Sequence, residues 1–222
     1  TNFIKRRIIF KEEEEILTKY IDLSYEIEHQ MAVYPGDDEL KLYRHRFLNR
    51  DYYNDTKLET GMHVGTHIDA PSHLLNKDRF ICDYPVEKFI GNGCLLDVRN
   101  EEIIKLKDEY LDKVQEGDIV LLYTGYDEFF GTDKYFENHP IVDEKLAQFF
   151  VDRGVKLIGI DMPSPDQYPF KVHHKLLEND ILIIENLRNL KKLEGVKRFE
   201  VMAFPLNIRA EASLTRVVAR IN

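Results

Sequence analysis

Three histidines and an aspartate fall within eleven residues in the run His63-Val-Gly-Thr-His67-Ile-Asp69-Ala-Pro-Ser-His73. Imidazole nitrogens and carboxylate oxygens are the usual protein ligands of borderline divalent metals, so this crowding predicts a metal pocket. A helix carrying His63 and His67 one turn apart is the simplest alternative. Gly65, the β-branched Val64, Thr66 and Ile68, and then Pro71 all disfavour it. The segment is expected to be the end of a strand running into a tight loop. Gly65 would permit an unusual backbone angle there, letting Asp69 and His73 fold back towards the first pair.

An open metal pocket draws ligands from more than one stretch of chain. His173 and His174 stand near the start of a helix-like run, Val172 to Glu178, and Glu185 closes the apolar run Ile181 to Ile184. A carboxylate at the end of a buried strand is costly unless it is paired or metal-bound, which brings Glu185 and His173 into the candidate set. A salt bridge to Lys or Arg competes for Glu185, and a helix N-terminal role competes for the histidine pair. Asp161, at a strand end, reads equally as a turn cap. Asp97 reads as a strand-edge charge with no function. His29, His45 and His139 stand alone among charged neighbours and are expected at the surface.

The elements that must position these groups can be read from pattern. Residues 11–20 (KEEEEILTKY) suit a short charged helix with a solvated Glu face. Ile21 to Ile27 alternates with period two, as a half-buried strand does. A turn at Pro35 to Asp38 separates it from a strand over Leu40 to Phe47, and a third from Lys57 delivers the chain to His63. Buried strands are expected at 93–98, 118–124, 155–161 and 181–185, with two more at 199–206 and 213–221. Asp143 to Arg153 has helical apolar spacing and a terminating Gly154, so it forms a strand–helix–strand crossover with its neighbours. The result is one mixed α/β domain over residues 20–222 behind a charged N-terminal arm, residues 1–19, with no internal repeat.

With 222 residues and 43% hydrophobic content the chain can bury a sizeable core. Its formal net charge of −9 argues against a nucleic-acid partner, which needs a basic face. Cys82 and Cys94 form no metal or redox motif and read as reduced thiols of a cytoplasmic protein. No apolar run is long enough to span a membrane, and Lys5-Arg6-Arg7 is followed by only three apolar residues, too few for a secretory leader.

The run from His63 to His73 resembles the HxGTHxDxPxH signature of the metal-dependent cyclase-like hydrolases, which include bacterial kynurenine formamidase (arylformamidase) and isatin hydrolase. The resemblance continues through Tyr34-Pro-Gly-Asp37, Tyr123-Thr-Gly-Tyr126, Tyr135 to Pro140, Gly159 to Ser164, and His173 through Glu185-Asn186. It implies a swivelling β/β/α fold and a homodimer or homotetramer. It implies one or two divalent ions, zinc or manganese: His63, His67 and Asp69 on the first, with Asp69 bridging to a second held by His173 and by Glu185, which touches both. His73 corresponds to the proton-transferring histidine. Tyr34 stands where the kynurenine enzymes of tryptophan catabolism typically carry Trp, and this chain contains no Trp. A tyrosine there can still stack on a substrate ring, with less area and an added hydroxyl.

The implied activity is metal-assisted hydrolysis of a small amide or cyclic amide. Ring opening of isatin or lactone type is the near alternative, and a metal-binding protein without turnover is the distant one. Structural zinc sites are closed and often rich in Cys, whereas this donor set is rich in His and carboxylate with spare ligands, which favours catalysis.

Overall fold

Alternation along short apolar runs builds two cores back to back. In the sequence Ile119-Val-Leu-Leu-Tyr123, Ile119, Leu121 and Tyr123 face one core while Val120 and Leu122 face the other. The computed structural model describes residues 18–221. Its strands in chain order are β1 (Lys19–Asp22), β2 (Lys41–Arg46), β3 (Asp55–Glu59), β4 (His67–Asp69), β5 (Ile90–Asp97), β6 (Ile103–Ile104), β7 (Ile119–Tyr123), β8 (Ile141–Val142), β9 (Leu157–Ile160), β10 (Leu182–Glu185), β11 (Phe199–Pro205) and β12 (Ala212–Ile221). The helices are α1 (Leu48–Asp51), α2 (Tyr110–Lys113), α3 (Asp133–Glu137), α4 (Glu144–Arg153) and α5 (Lys171–Glu178).

The main sheet runs β12-β11-β5-β7-β9-β10-β4 and closes on itself because β4 also pairs with β12. Strands β5, β7, β9 and β10 are mutually parallel, and the remaining pairings in the ring are antiparallel. β1 adds to the other half of the same edge of β12. This is a single mixed α/β domain of the swivelling β/β/α kind, in which a barrel-like sheet has few helices around it.

Inside the ring, Ile68, Leu121, Leu157, Ile184, Val201 and Val217 pack together; outside it, Val120, Ile158 and Ile183 pack beneath Leu146, Phe150 and Leu176 of α4 and α5. Each such side chain contributes about 1.5–3 kcal/mol on burial. Gly93 on β5 is needed for space: a Cβ there would lie 2.0 Å from the Phe199 ring. Helix α4 starts where predicted, with Asp143 accepting the Lys145 N–H, and ends at Gly154 with φ 67°. The strand–helix–strand unit it completes, β7-α4-β9, is parallel as expected.

Several expectations need correction. The helix read over residues 11–20 and the N-terminal arm lie almost wholly outside the described residues, and Lys19 and Tyr20 belong to β1. That strand stops at Asp22 because the Asp22 carboxylate accepts the Ser24 N–H and ties up with Arg216, leaving only an isolated bridge at Ser24. β3 ends at Glu59, so no strand delivers the chain to His63. The order there is reversed: an irregular turn precedes β4, and a 3-10 turn, Pro71–His73, follows it. His139 is buried, not exposed, because its loop leads into β8, which pairs with β6; its Nδ1 lies 2.9 Å from the Pro140 carbonyl.

Candidate active site

β4 carries the core of the site. Ile68 points into the barrel, so His67 and Asp69, one residue to either side, point to the opposite face. β10 pairs with β4 in a register that sets Glu185 directly beside His67. The buried carboxylate expected at the end of that strand therefore meets the histidine motif across one hydrogen-bonded ladder. His63 reaches the same place from the turn before β4. That turn depends on Gly65, whose φ is +61° and where a Cβ would lie 2.9 Å from Ile27 Cδ1. His173 comes from α5, and His73 from the 3-10 turn after β4.

The donor atoms fall into two groups that share Asp69: His63, His67 and Asp69, then Asp69, His173 and Glu185. Nδ1 of His63 lies 3.0 Å from Asp69 Oδ1, and Nε2 of His67 lies 3.5 Å from the same oxygen. Nε2 of His173 is 3.3 Å from Glu185 Oε1 and 3.8 Å from Asp69 Oδ2. Bonds of about 2.0–2.1 Å to a tetrahedral ion separate its donors by about 3.3–3.4 Å, so these spacings suit a cation between them. His67 Nε2, both Asp69 oxygens and Glu185 Oε1 are buried without a hydrogen-bond partner. Buried polar atoms are almost always satisfied, and a metal ion would satisfy all four. The donor set therefore fits a divalent cation, with no salt bridge from Lys or Arg to Glu185 among the described residues.

Charge in the site follows from this packing. Burial opposes a proton on His67, yet the Glu185 contact and the Asp69 charge overcome it and raise the imidazole to about 9. Burial opposes charge on His173 too, and the carboxylates of Asp166, Asp69 and Glu185 outweigh it and hold the ring well above its ordinary value. For Asp69, burial is overcome by His173 and His63, which hold the carboxyl well below its ordinary range. Protons thus balance the carboxylates in the metal-free protein, and a bound cation would displace them. His73 behaves differently. Burial pushes its imidazole down, and it stacks near His63 with ring centroids 4.1 Å apart.

Above these groups lies a cavity of about 260 Å³, lined among others by Tyr34, Phe130, Phe136, Phe170 and His73. Tyr34 meets Phe136 edge-on at 5.9 Å. Phe130 stacks on Tyr25 at 4.0 Å and forms a wall, whereas Tyr52 and Tyr53 face solvent. Sequence reasoning also passed over Asn186 and Asp166. Asn186 accepts the Tyr135 hydroxyl and donates to the Gly65 carbonyl, the group that also takes His67 Nδ1. Asp166 holds His173 from behind. The available signals were the position of Asn186 directly after Glu185 and the polar cap before α5. Asp161 proves to be a cap, accepting from the Thr124 and Gly125 backbone. His174 takes no part.

The fold and site define an α/β barrel with a paired histidine–carboxylate donor set open to an aromatic cavity. Residues 21–167 match the family model Cyclase, and the chain belongs to that family. It is similar to kynurenine formamidase of Bacillus cereus, 30% identical over 209 residues that cover 91% of this chain and 98% of that protein. An uncharacterised protein of Methanocaldococcus jannaschii is 35% identical over 188 residues, covering 84% and 91% respectively. Among solved structures, a potential metal-dependent hydrolase with cyclase activity is 26% identical with a TM-score of 0.75, covering 92% of this chain and 100% of that one. Isatin hydrolase A from Labrenzia aggregata shares the fold, at 19% identity and a TM-score of 0.79 over 92% and 94%.

Proposed function

We propose that this protein is a metal-dependent hydrolase of small aryl amides, of the kynurenine formamidase (arylformamidase) type. The observation that carries this reading is the meeting of His63, His67, Asp69, His173 and Glu185 beneath an aromatic cavity, with His73 at its wall. Those five residues would hold one or two divalent ions, zinc or manganese. Such an ion supplies a lowered pKa for water, from about 15.7 towards about 7, and polarises a carbonyl. His73 is kept neutral by burial, so it can accept the proton of the attacking water. It takes that proton as the C–O bond forms and delivers it to the leaving nitrogen as the C–N bond breaks. Tyr34 and the phenylalanine walls hold the aryl group and exclude water from around the scissile bond.

One observation favours a second reading within the same chemistry. Among the described residues neither lysine nor arginine lines the cavity, so a substrate carboxylate would find no cationic side chain there apart from the histidine cluster itself. A compact uncharged ring, a cyclic amide of isatin type or a lactone, meets that lining as well as a formanilide does. Metal-loaded protein offered N-formylkynurenine, isatin and simple lactones separates the two: preferred cleavage of the formamide supports the first reading, and preferred ring opening replaces it with the second. Absence of turnover on all of them, with metal bound, would reduce the protein to a metal-binding one.

A cytoplasmic location and a homo-oligomer of two or four chains belong to the same proposal. Cys82 and Cys94 are both free, and no described helix is long and apolar enough to cross a membrane. The β2–β3 hairpin exposes Phe47, Leu48, Tyr52, Tyr53 and Leu58, apolar surface of the kind that subunit contacts cover.

A further inference from the structure

His67 and His173 each commit Nδ1 to the protein and turn Nε2 to Glu185, but their outer partners differ. His67 Nδ1 lies 2.8 Å from the Gly65 carbonyl, a neutral acceptor. His173 Nδ1 lies 2.5 Å from Asp166 Oδ1, a buried carboxylate. A carboxylate behind a histidine fixes the tautomer with the proton on Nδ1 and makes Nε2 the more basic ligand. The outer contact of His63 is weaker than either: its Nδ1 faces Asp69, and its Nε2 is 3.6 Å from the exposed Glu211 Oε1, beyond hydrogen-bond distance.

From this asymmetry we infer that Asp166 is a positioning residue that makes Asp69–His173–Glu185 the tighter of two cation positions, filled before His63–His67–Asp69. Two further features point the same way. The Asp69–His173–Glu185 position has two carboxylates among its three donors, whereas His63–His67–Asp69 has one, the shared Asp69. All three donors of the first are buried, whereas His63 is half-buried. Once an ion has taken Asp69 from one side, the charge left for a second ion is smaller. The inference rests on the reading that this cluster holds cations.

Asp166 also caps α5, its Oδ2 accepting the Val172 N–H at 2.6 Å and the His173 N–H at 3.4 Å. Asparagine can keep that cap through its single oxygen. Its NH2 group then faces His173 Nδ1 and favours the tautomer with the proton on Nε2, which leaves no lone pair for a metal. Capping and ligand positioning are thereby separable in one substitution. Asp166→Ser provides a second variant, since serine keeps an oxygen acceptor but has no charge to offer.

The test is titration of the chelator-stripped full chain with Zn²⁺ against a chromophoric competing chelator, with the melting temperature of the stripped protein as the control for folding. Wild type should bind in two steps whose dissociation constants differ by about tenfold or more. His63→Ala should remove only the weaker step. Asp166→Asn and Asp166→Ser should weaken the tighter step by about 10–100-fold, in wild type and in the His63→Ala background alike, with the melting temperature kept. Loss of the tighter step in His63→Ala, or two steps untouched by both Asp166 variants, would overturn the inference and leave the metal reading standing. Equal weakening of both steps together with a lowered melting temperature would reduce Asp166 to a structural cap. Failure of wild type to bind Zn²⁺ at all would overturn the metal reading itself, and the inference with it.

Discussion

His67 and Glu185 are register partners across the β4–β10 ladder, and their Nε2 and Oε2 atoms lie 3.4 Å apart. That pairing joins the two halves of the site, which are more than a hundred residues apart in sequence. Because a one-residue slip of either strand would send its own site residue into the barrel, the ladder register is a condition for the chemistry. The predictions below follow from groups arranged around that pair.

His73 is assigned the proton transfer and no part in holding metal. His73→Ala should therefore retain its bound metal while kcat falls by about 10²–10⁴-fold. Elemental analysis beside steady-state kinetics checks both halves, and undiminished turnover would remove His73 from the mechanism.

In the proposed mechanism the same residue sets the acid side of the pH profile. There His73 works as a neutral base, and burial lowers its pKa from the ordinary 6.5. A lowered value keeps the base form populated to lower pH, so kcat/KM should fall only below about pH 6.5 as the imidazole gains its proton. A bound dication would move the limb further in the same direction. The profile should be recorded with metal content measured at each pH, and a limb well above 6.5 at constant metal would contradict the assignment.

Tyr34 stands on the cavity wall and edge-on to Phe136. Removing one aromatic contact costs about 1 kcal/mol, so Tyr34→Ala should lower kcat/KM for an aryl amide by roughly fivefold, mainly through KM. Tyr34→Phe should lose much less. Equal losses in the two variants would mean that the hydroxyl, and not the ring, is what the substrate meets.

Gly93 tests the packing behind the site. Its missing Cβ leaves room for the Phe199 ring. Gly93→Ala should destabilise the fold by about 1–3 kcal/mol, because ring and strand must both shift. Urea unfolding measures this directly, and an unchanged midpoint would mean that the ring moves aside without cost.

The clustering of these candidate donors was legible in the sequence for a physical reason. Nothing structural requires so many imidazoles and carboxylates between His63 and His73, and a carboxylate at Glu185 is too costly in a buried strand without a partner. The secondary structure of the same stretch was misread. β4 has only three residues between Gly65 and Pro71, and it becomes a strand only because β10 and β12 pair with both of its edges. Asp166 and Asn186 were hidden for a similar reason. Ser-Pro-Asp before a helix reads as a cap, and an Asn after a strand reads as a turn. Their second roles appear only once the fold sets His173 and Gly65 beside them. His139 misled because its charged sequence neighbours point away from the loop that carries it inward.

The central claim is that the donor set of His63, His67, Asp69, His173 and Glu185 binds the ion on which hydrolysis depends. The most direct measurement is bound metal per chain alongside formanilide hydrolysis, taken as purified, after chelation, and after adding back Zn²⁺ or Mn²⁺. The account predicts one or two ions per chain, activity lost on stripping and restored on reloading, and neither metal nor activity fully recovered in His67→Ala. Stripped protein that hydrolyses the amide at the original rate, or His67→Ala that binds metal as wild type does, would contradict it.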